Sequence, residues 1–293
     1  MPRVAANGIE IEYENFGQEG NPPLVLIMGL AAQMILWEDD FCRALASRGF
    51  HVTRFDNRDV GRSTWMNDAG VPDIGAALMA SMTGGRVEAP YTLSDMAADT
   101  AGLMDALGIA SAHIVGASMG GMIAQTLAIE HPSRVRTLTS IMSTTGNPAL
   151  PQATPEAMSV LLMPPVAGRD ENIERGVLIF RTIGSPGFPF DEAGIRDIAA
   201  RSFDRGFHPQ GAARQIAAIL ASGNRKSRLA ALRVPTLVLH GKADCLVPYE
   251  AGVDTAEAIT GSKLVGIAGM GHDLPRGVWP RIIDEICELA ARA

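Results

Sequence analysis

One pentapeptide in the chain has the residue types and spacing of a catalytic nucleophile. Residues 116–120 read Gly-Ala-Ser-Met-Gly, a G-x-S-x-G pattern with Ser118 at its centre. The pattern follows a predicted short strand at 113–115 and begins a predicted helix at 119–130, and this strand–turn–helix context is typical of a nucleophile elbow. The glycines leave room for a strained turn, and the helix N-terminus favours negative charge that develops beside the serine. We therefore expect Ser118 to attack an acyl carbonyl.

A serine hydroxyl is a weak nucleophile until a base removes its proton, and six histidines compete for that role. His272 lies in the glycine-rich loop 269–273, after the last predicted strand, where the chain returns to the same edge of the sheet as Ser118. The order serine, acid, histidine also favours His272 as the base. The other five are expected to be structural or, for the one at 208, at the surface: His51, His113, His131, His208 and His240.

The histidine of such a site needs a carboxylate that holds its ring in the correct tautomer. Asp244 follows the predicted strand 236–240 by a short loop, 126 residues after Ser118 and 28 residues before His272. This position favours Asp244 as the acid, with a plain turn residue as the alternative reading. Asp273 is the other candidate, but it adjoins His272, and the side chain of a sequence neighbour usually points away.

Two backbone N–H groups usually stabilise the negatively charged oxygen of the tetrahedral intermediate. We expect one from Met119, directly after the nucleophile. The other is assigned to Leu30, in the turn that follows the predicted strand 24–28. The alternative is that Gly29 only permits a tight turn here, and both interpretations can hold together.

These residues must be positioned by strands and helices that alternate along the chain. Such alternation predicts a parallel sheet covered by helices on both faces, with its active site at the carboxyl ends of the strands. The strand at 9–14 alternates apolar and polar residues, which favours a position at the edge of the sheet. The predicted strands are 9–14, 24–28, 51–55, 113–115, 135–142, 236–240 and 263–267, and the clearest helices are 92–107, 119–130 and 279–292.

The alternation is interrupted between 144 and 228, where no strand pattern occurs. The predicted helical pieces in this stretch are 156–162, 172–181, 192–201 and 211–221. We interpret residues 144–228 as a helical cap inserted into an α/β core formed by 1–143 and 229–293. A second, unrelated domain is the alternative.

Composition excludes several classes of function. A net charge of −7 argues against a nucleic-acid-binding face, and an apolar fraction of 47% is enough for a large core. Three cysteines are too few for a disulfide framework, and no signal-like or membrane-spanning apolar run occurs, so a cytoplasmic protein is expected. The histidines and cysteines lack metal-ligand spacing, so neither a metal nor an organic cofactor is expected. The expected partner is a small-molecule ester, bound by a monomer or a homodimer.

The chain resembles the α/β-hydrolase superfamily and is most similar to the aclacinomycin methylesterase-like group of serine esterases. The segments that carry the resemblance are 25–30 with Trp37, 54–63, 112–121, 269–272 and Leu274-Pro275. The resemblance places the catalytic triad on Ser118, Asp244 and His272 and the oxyanion donors on Leu30 and Met119. The family's familiar His-Gly of the oxyanion turn is Met-Gly here. The charged loop 56–63 is assigned a structural role.

The predicted function is hydrolysis of a carboxylic ester through an acyl-serine intermediate. A bulky neutral ester is favoured, and the resemblance suggests polyketide-type methyl esters or macrocyclic lactones. Ser118 argues against relatives with an aspartate nucleophile, whereas C–C bond hydrolases, acyltransferases, cofactor-free haloperoxidases and slow-turnover ligand receptors stay open. Seven apolar cap residues are candidates for a roof over Ser118, with packing inside the cap as the alternative: Met158, Leu161, Leu162, Met163, Phe180, Phe188 and Phe190.

Overall fold

The sheet contains eight strands, and the computed structural model describes all residues from 1 to 293. The strands are β1 (Arg3–Ala6), β2 (Ile9–Phe16), β3 (Pro23–Ile27), β4 (His51–Phe55), β5 (Ala112–Ala117), β6 (Val135–Ile141), β7 (Thr236–Gly241) and β8 (Lys263–Ile267). Their order is β1-β2-β4-β3-β5-β6-β7-β8. Strand β2 is antiparallel to both of its neighbours, and all other pairs are parallel.

Eleven α-helices connect or cover these strands. They are α1 (Asp39–Ser47), α2 (Ile74–Met82), α3 (Leu93–Ala106), α4 (Met119–Glu130), α5 (Pro155–Leu161), α6 (Arg169–Ile183), α7 (Glu192–Arg205), α8 (Pro209–Ser222), α9 (Lys226–Leu229), α10 (Tyr249–Ala258) and α11 (Trp279–Ala290). Helices α3 and α4 bury apolar side chains against one face of the sheet. Helices α1 and α11 cover the other face. No helix is both long and apolar enough to cross a membrane.

The central strands are buried because helices cover both of their faces. Leu24 and Ile27 of β3 have no exposed surface, and every residue of β5 is buried. A parallel strand in this position must be apolar along its whole length, which is the pattern read at 24–28. At the start of α3, Thr92 and Asp95 form a reciprocal capping box, which fixes the beginning of the helix.

The predicted fold class is confirmed: a mostly parallel sheet flanked by helices carries a helical insertion after its sixth strand. The edge position expected for the strand at 9–14 is wrong. That strand, β2, lies between β1 and β4, because the four-residue β1 pairs with its outer side. Helices α2 and α10 were not predicted.

The insertion between β6 and β7, which is called the cap below, contains α5 to α9. Helices α6 and α7 pack against each other, and α8 packs on α2 and α3 of the core. The predicted cap, residues 144–228, contains α5 to α8, and its end falls inside α9. The division of the chain at these boundaries stays a prediction.

Arg225 joins the two ends of the cap. Its backbone N–H donates to Thr145 O at 2.7 Å, and its guanidinium donates to the carbonyls of Thr144 at 2.8 Å and Gly223 at 3.1 Å. Burial lowers the pKa of Arg225 to about 10. The chain segments that enter and leave the cap are thus held together beside the sheet.

Ion pairs fasten the cap to the charged loop 56–63 after β4 and to strand β2. Arg205, at the end of α7, contacts Asp56 at 2.9 Å and Glu12 at 2.5 Å. Arg214, on α8, donates to both carboxylate oxygens of Asp59. The structural role assigned to this loop therefore consists largely of holding the cap.

Candidate active site

Ser118 lies in the tight turn between β5 and α4. Its φ of +55° falls in the left-handed region, which side-chain-bearing residues rarely adopt. Two close backbone approaches permit the turn: a β-carbon on Gly116 would overlap the carbonyl of Gly120, and one on Gly120 would overlap the carbonyl of Ile27. The Ser118 N–H donates to Ile141 O at 2.9 Å, which ties the turn to the end of β6.

His272 lies between Ser118 and Asp244. Its Nε2 is 2.9 Å from the Ser118 Oγ, and its Nδ1 is 2.7 Å from the Asp244 Oδ2. A carboxylate only accepts hydrogen bonds, so the ring proton is on Nδ1 and the Nε2 lone pair faces the serine hydroxyl. The structure therefore brings the three predicted triad residues into one hydrogen-bonded chain.

The Asp244 side chain is fixed by the backbone at the end of β7. Its Oδ1 accepts from the N–H groups of Leu246 at 2.9 Å and Val247 at 2.8 Å, which leaves Oδ2 for His272. His240 lies beneath it, with its Nε2 3.6 Å from Asp244 Oδ2 and 2.7 Å from Val247 O. Because burial lowers the pKa of His240, this ring stays neutral and serves as packing, as expected.

Asp273, the alternative acid, faces the cap. Its carboxylate accepts from the hydroxyl of Ser185, whose oxygen in turn accepts from the N–H of Gly271 at 2.9 Å. Burial raises the pKa of Asp273. The backbone N–H of His272 also donates to the cap, to Ile183 O at 2.7 Å. The geometry thus favours Asp244 as the partner of the His272 ring, while Asp273 ties the histidine loop to the end of α6.

The two predicted oxyanion donors are free to bind a ligand. Neither Leu30 N–H nor Met119 N–H donates to any acceptor in the chain. A β-carbon on Gly29 would lie 3.1 Å from Ser118 Cβ, so the turn that carries Leu30 runs directly beside the nucleophile. Unpaired backbone donors at the head of a buried helix and in the adjoining turn are suited to a developing oxyanion.

His208 was predicted to lie at the surface, but its side chain is only 7% exposed. Its ring stacks on Trp65 with centroids 4.3 Å apart, and its Nε2 lies 2.7 Å from a guanidinium nitrogen of Arg214. Trp65 lies 143 positions before His208 in the sequence, so no local pattern reveals this stacking contact. Two residues that hold the Leu30 turn, Asn57 and Gln215, were also missed, because a lone amide side chain gives no sequence signal.

The seven apolar residues predicted to form a roof over Ser118 differ in their surroundings. Met163 packs within the cap and Phe188 packs on the core beside α11. Leu162 and Phe190 are each 40% exposed. The remaining three are half-buried: Met158, Leu161 and Phe180.

One groove in the surface does not coincide with the triad. A groove of about 660 Å³ lies at the amino ends of β6 and β7 and is lined by residues such as Val135, Arg136 and Leu232. Ligands of open α/β sheets bind at the opposite, carboxyl ends of the strands. No group of three or more His, Cys, Asp or Glu side chains is arranged to hold a metal ion.

Comparison with known proteins identifies the family. Residues 22–178 match a family model described as the alpha/beta hydrolase fold. The chain belongs to the α/β-hydrolase family. Residues 217–277 of this hydrolase also match a model described as TAP-like protein.

The relatives of this hydrolase are similar over nearly their whole length. Rhodomycin D methylesterase DauP of Streptomyces sp. (strain C5) is 29% identical over 305 residues, which cover 97% of this chain and 96% of that protein. A putative carbamate hydrolase, RutD of Azorhizobium caulinodans, is 26% identical over 287 residues, covering 98% and 96%. Among solved structures, the enol-lactonase of Burkholderia xenovorans LB400 superposes with a TM-score of 0.72 at 22% identity, covering 99% of this chain and 100% of that one. The chain is therefore related to the methylesterase group, as predicted.

Proposed function

We propose that this hydrolase is a serine esterase in which Ser118, His272 and Asp244 form the catalytic triad and cleave a bulky, neutral carboxylic ester. The coarser class, carboxylic ester hydrolase, follows from the family and from the full-length methylesterase relative. The observation that carries the finer proposal is the hydrogen-bonded chain from Ser118 through His272 to Asp244 at the carboxyl ends of three strands.

The geometry supports a two-step mechanism. His272 Nε2 accepts the Ser118 proton as Oγ attacks the ester carbonyl, and Asp244 stabilises the imidazolium. The N–H groups of Leu30 and Met119 donate to the oxygen that becomes negative. His272 then returns the proton to the departing alcohol, and water attacks the acyl-serine by the same route.

The charges of the cap support a neutral substrate. Residues 144–228 contain nine arginines, and seven of them pair with carboxylates of the chain itself: Arg169, Arg181, Arg196, Arg201, Arg205, Arg214 and Arg228. The other two, Arg225 and Arg175, donate to backbone carbonyls, Arg175 to that of Met163 at 3.1 Å. Little cationic surface is left to recognise an anionic substrate. DauP is a methylesterase by name. We therefore propose that this hydrolase also cleaves a methyl ester, and that the acyl part of its substrate is a polyketide-type acid.

The test is steady-state hydrolysis of a matched panel by the wild type and Ser118→Ala. The panel pairs p-nitrophenyl and methyl esters of the same acids, including a polycyclic aromatic acid, each with a neutral and a carboxylate-bearing form, and adds a macrolactone. We expect turnover that Ser118→Ala abolishes, preference for neutral bulky acids, and an acyl-enzyme mass on the wild type alone.

The outcomes separate the levels of the proposal. Hydrolysis by Ser118→Ala at the wild-type rate would exclude Ser118 as nucleophile. Preference for the carboxylate-bearing esters would refute the neutral substrate. If a folded protein hydrolysed none of the esters, the esterase proposal would fail. The alternatives would then be C–C bond hydrolysis, acyl transfer or a ligand-receptor function.

A further inference from the structure

Gln215, on helix α8 of the cap, makes two hydrogen bonds to loops of the core. Its Oε1 accepts from the N–H of Ala31 at 2.8 Å, and its Nε2 donates to Arg58 O at 2.9 Å. The side chain belongs to a residue with no exposed surface. Both polar atoms of the amide are therefore satisfied by backbone groups beside the active site.

Ala31 directly follows Leu30, whose free N–H faces no acceptor in the chain. The φ of Ala31 is +56°, in the left-handed region, and this conformation costs an alanine roughly 1 kcal/mol. A strained conformation of this kind persists only where the surroundings hold it. Asn57 holds one end of the turn by donating to Met28 O at 2.8 Å. At the other end, Gln215 provides the acceptor for the Ala31 N–H.

We propose that Gln215 is a positioning residue for the oxyanion hole: by holding the Ala31 amide, it aims the Leu30 N–H at the oxygen of the tetrahedral intermediate. The inference rests on the proposed function, since it requires attack by Ser118. It also makes the oxyanion hole depend on the docking of α8, so the cap contributes to the chemistry as well as covering it.

Helix α8 does not need Gln215 in order to dock. Arg214 forms a doubly hydrogen-bonded ion pair with Asp59. At Gly211 the helix backbone approaches Asp59 so closely that a β-carbon would overlap the Asp59 carbonyl. An apolar residue at 215 therefore removes the hold on the turn and leaves the helix in place.

The experiment measures kcat, KM and melting temperature for Gln215→Met and Gln215→Leu, which lack the acceptor, and for Gln215→Glu. The glutamate keeps the acceptor and, as an uncharged carboxylic acid in this buried position, can still donate to Arg58 O. Arg62→Met is the matched control, because Arg62 bonds the cap at Arg205 O, 3.0 Å away, without contacting the Leu30 turn. We expect the apolar variants to lose about 30- to 100-fold in kcat with KM within about twofold, because a misplaced donor forfeits much of its stabilisation. Gln215→Glu should recover at least about tenfold of that loss, and Arg62→Met should match the wild type.

A boronic acid that forms a tetrahedral adduct with Ser118 provides a readout that a purely structural role would not move. Phenylboronic acid should bind the apolar variants more weakly by the same factor as the fall in kcat/KM. A kcat within twofold of the wild type in both apolar variants, or a rise in KM alone, overturns the inference. Activity retained by Ser118→Ala refutes the proposed function instead, so the two failures are distinguishable.

Discussion

Arg214 donates hydrogen bonds to both carboxylate oxygens of Asp59, at 2.9 and 2.8 Å, and neither side chain has any exposed surface. Burial opposes ionisation of Asp59, but hydrogen bonds from Arg214, the Met66 N–H and the Tyr91 hydroxyl outweigh it and lower the pKa of its carboxyl. We expect Arg214→Met to reduce the free energy of unfolding by about 3–5 kcal/mol, because an unpaired charge is left buried. Urea unfolding measures this loss.

The double variant Asp59→Asn/Arg214→Met is the companion to that test. Asparagine keeps an acceptor for Met66 and tolerates the left-handed φ of +67° at position 59. The double variant should be more stable than Arg214→Met alone. The exposed pair of Arg196 and Glu174 is the control, and Arg196→Met should leave the unfolding midpoint unchanged. A double variant less stable than the single one would contradict the ion-pair argument.

Replacing Asp244 by asparagine should reduce kcat by about 10³- to 10⁴-fold without unfolding the protein. The asparagine oxygen can still accept from Leu246 and Val247, so its NH₂ group would face His272 Nδ1. That arrangement forces the ring proton onto Nε2 and leaves no base for Ser118. Steady-state kinetics with the best ester of the panel measures the loss. Asp273→Asn is the control and should stay within a few-fold of the wild type; a greater loss there than at Asp244 would reverse the assignment.

Gly120→Ala should destabilise the protein by about 2–3 kcal/mol, because the added methyl group meets the backbone of Ile27 and Met28, which cannot yield easily. Since the same backbone positions the nucleophile, activity should fall as well. Gly75→Ala, on the exposed part of α2, should change stability by less than about 1 kcal/mol. Chemical denaturation compares the two. Equal effects at both positions would show that the close approach at Gly120 is unimportant.

Stability should fall as the pH drops from 6.5 to 4, because of buried histidines. Burial, with a smaller contribution from Arg136, lowers the pKa of His113 to about 4. Between that pKa and the ordinary value near 6.5, only the unfolded chain binds the proton, so acid favours unfolding by about 3 kcal/mol over this window. Burial lowers the pKa of His208 and His240 too, which adds to the loss.

The pH dependence is measured by urea unfolding at a series of pH values for the wild type and His113→Gln. The variant should show a shallower loss of stability between pH 6.5 and 4. His131→Gln, at a half-exposed position, should follow the wild type. Identical slopes for the wild type and His113→Gln would refute the assignment to His113.

Much of this architecture can be read from local patterns. Strand β4 and helix α4 have the bounds predicted for them, because Gly49 and Asp56 flank the strand and Pro132 follows the helix. The three proposed triad residues could be selected because the strained turn at Ser118 requires glycines and because parallel strands bring their carboxyl ends to one edge of the sheet. Local sequence carries these constraints directly.

The failures share a different physical origin. The burial of His208 depends on Trp65, and the inner position of β2 depends on four weakly patterned residues of β1. Helix α2 consists of apolar and small residues and has no polar face, so it has no helical periodicity to recognise. Gln215 acts through a backbone amide 184 positions away. Apart from α2, these features depend on partners that are distant along the chain, and a single sequence does not identify such partners.

Ser118 precedes His272, its proposed base, by 154 positions, with the whole cap between them. At roughly 5–20 residues per second, a ribosome takes about 8–30 s to translate that interval. During that time the nascent chain carries a serine hydroxyl with nothing to remove its proton. On the proposed mechanism we therefore expect hydrolytic activity only after the final strand has joined the sheet.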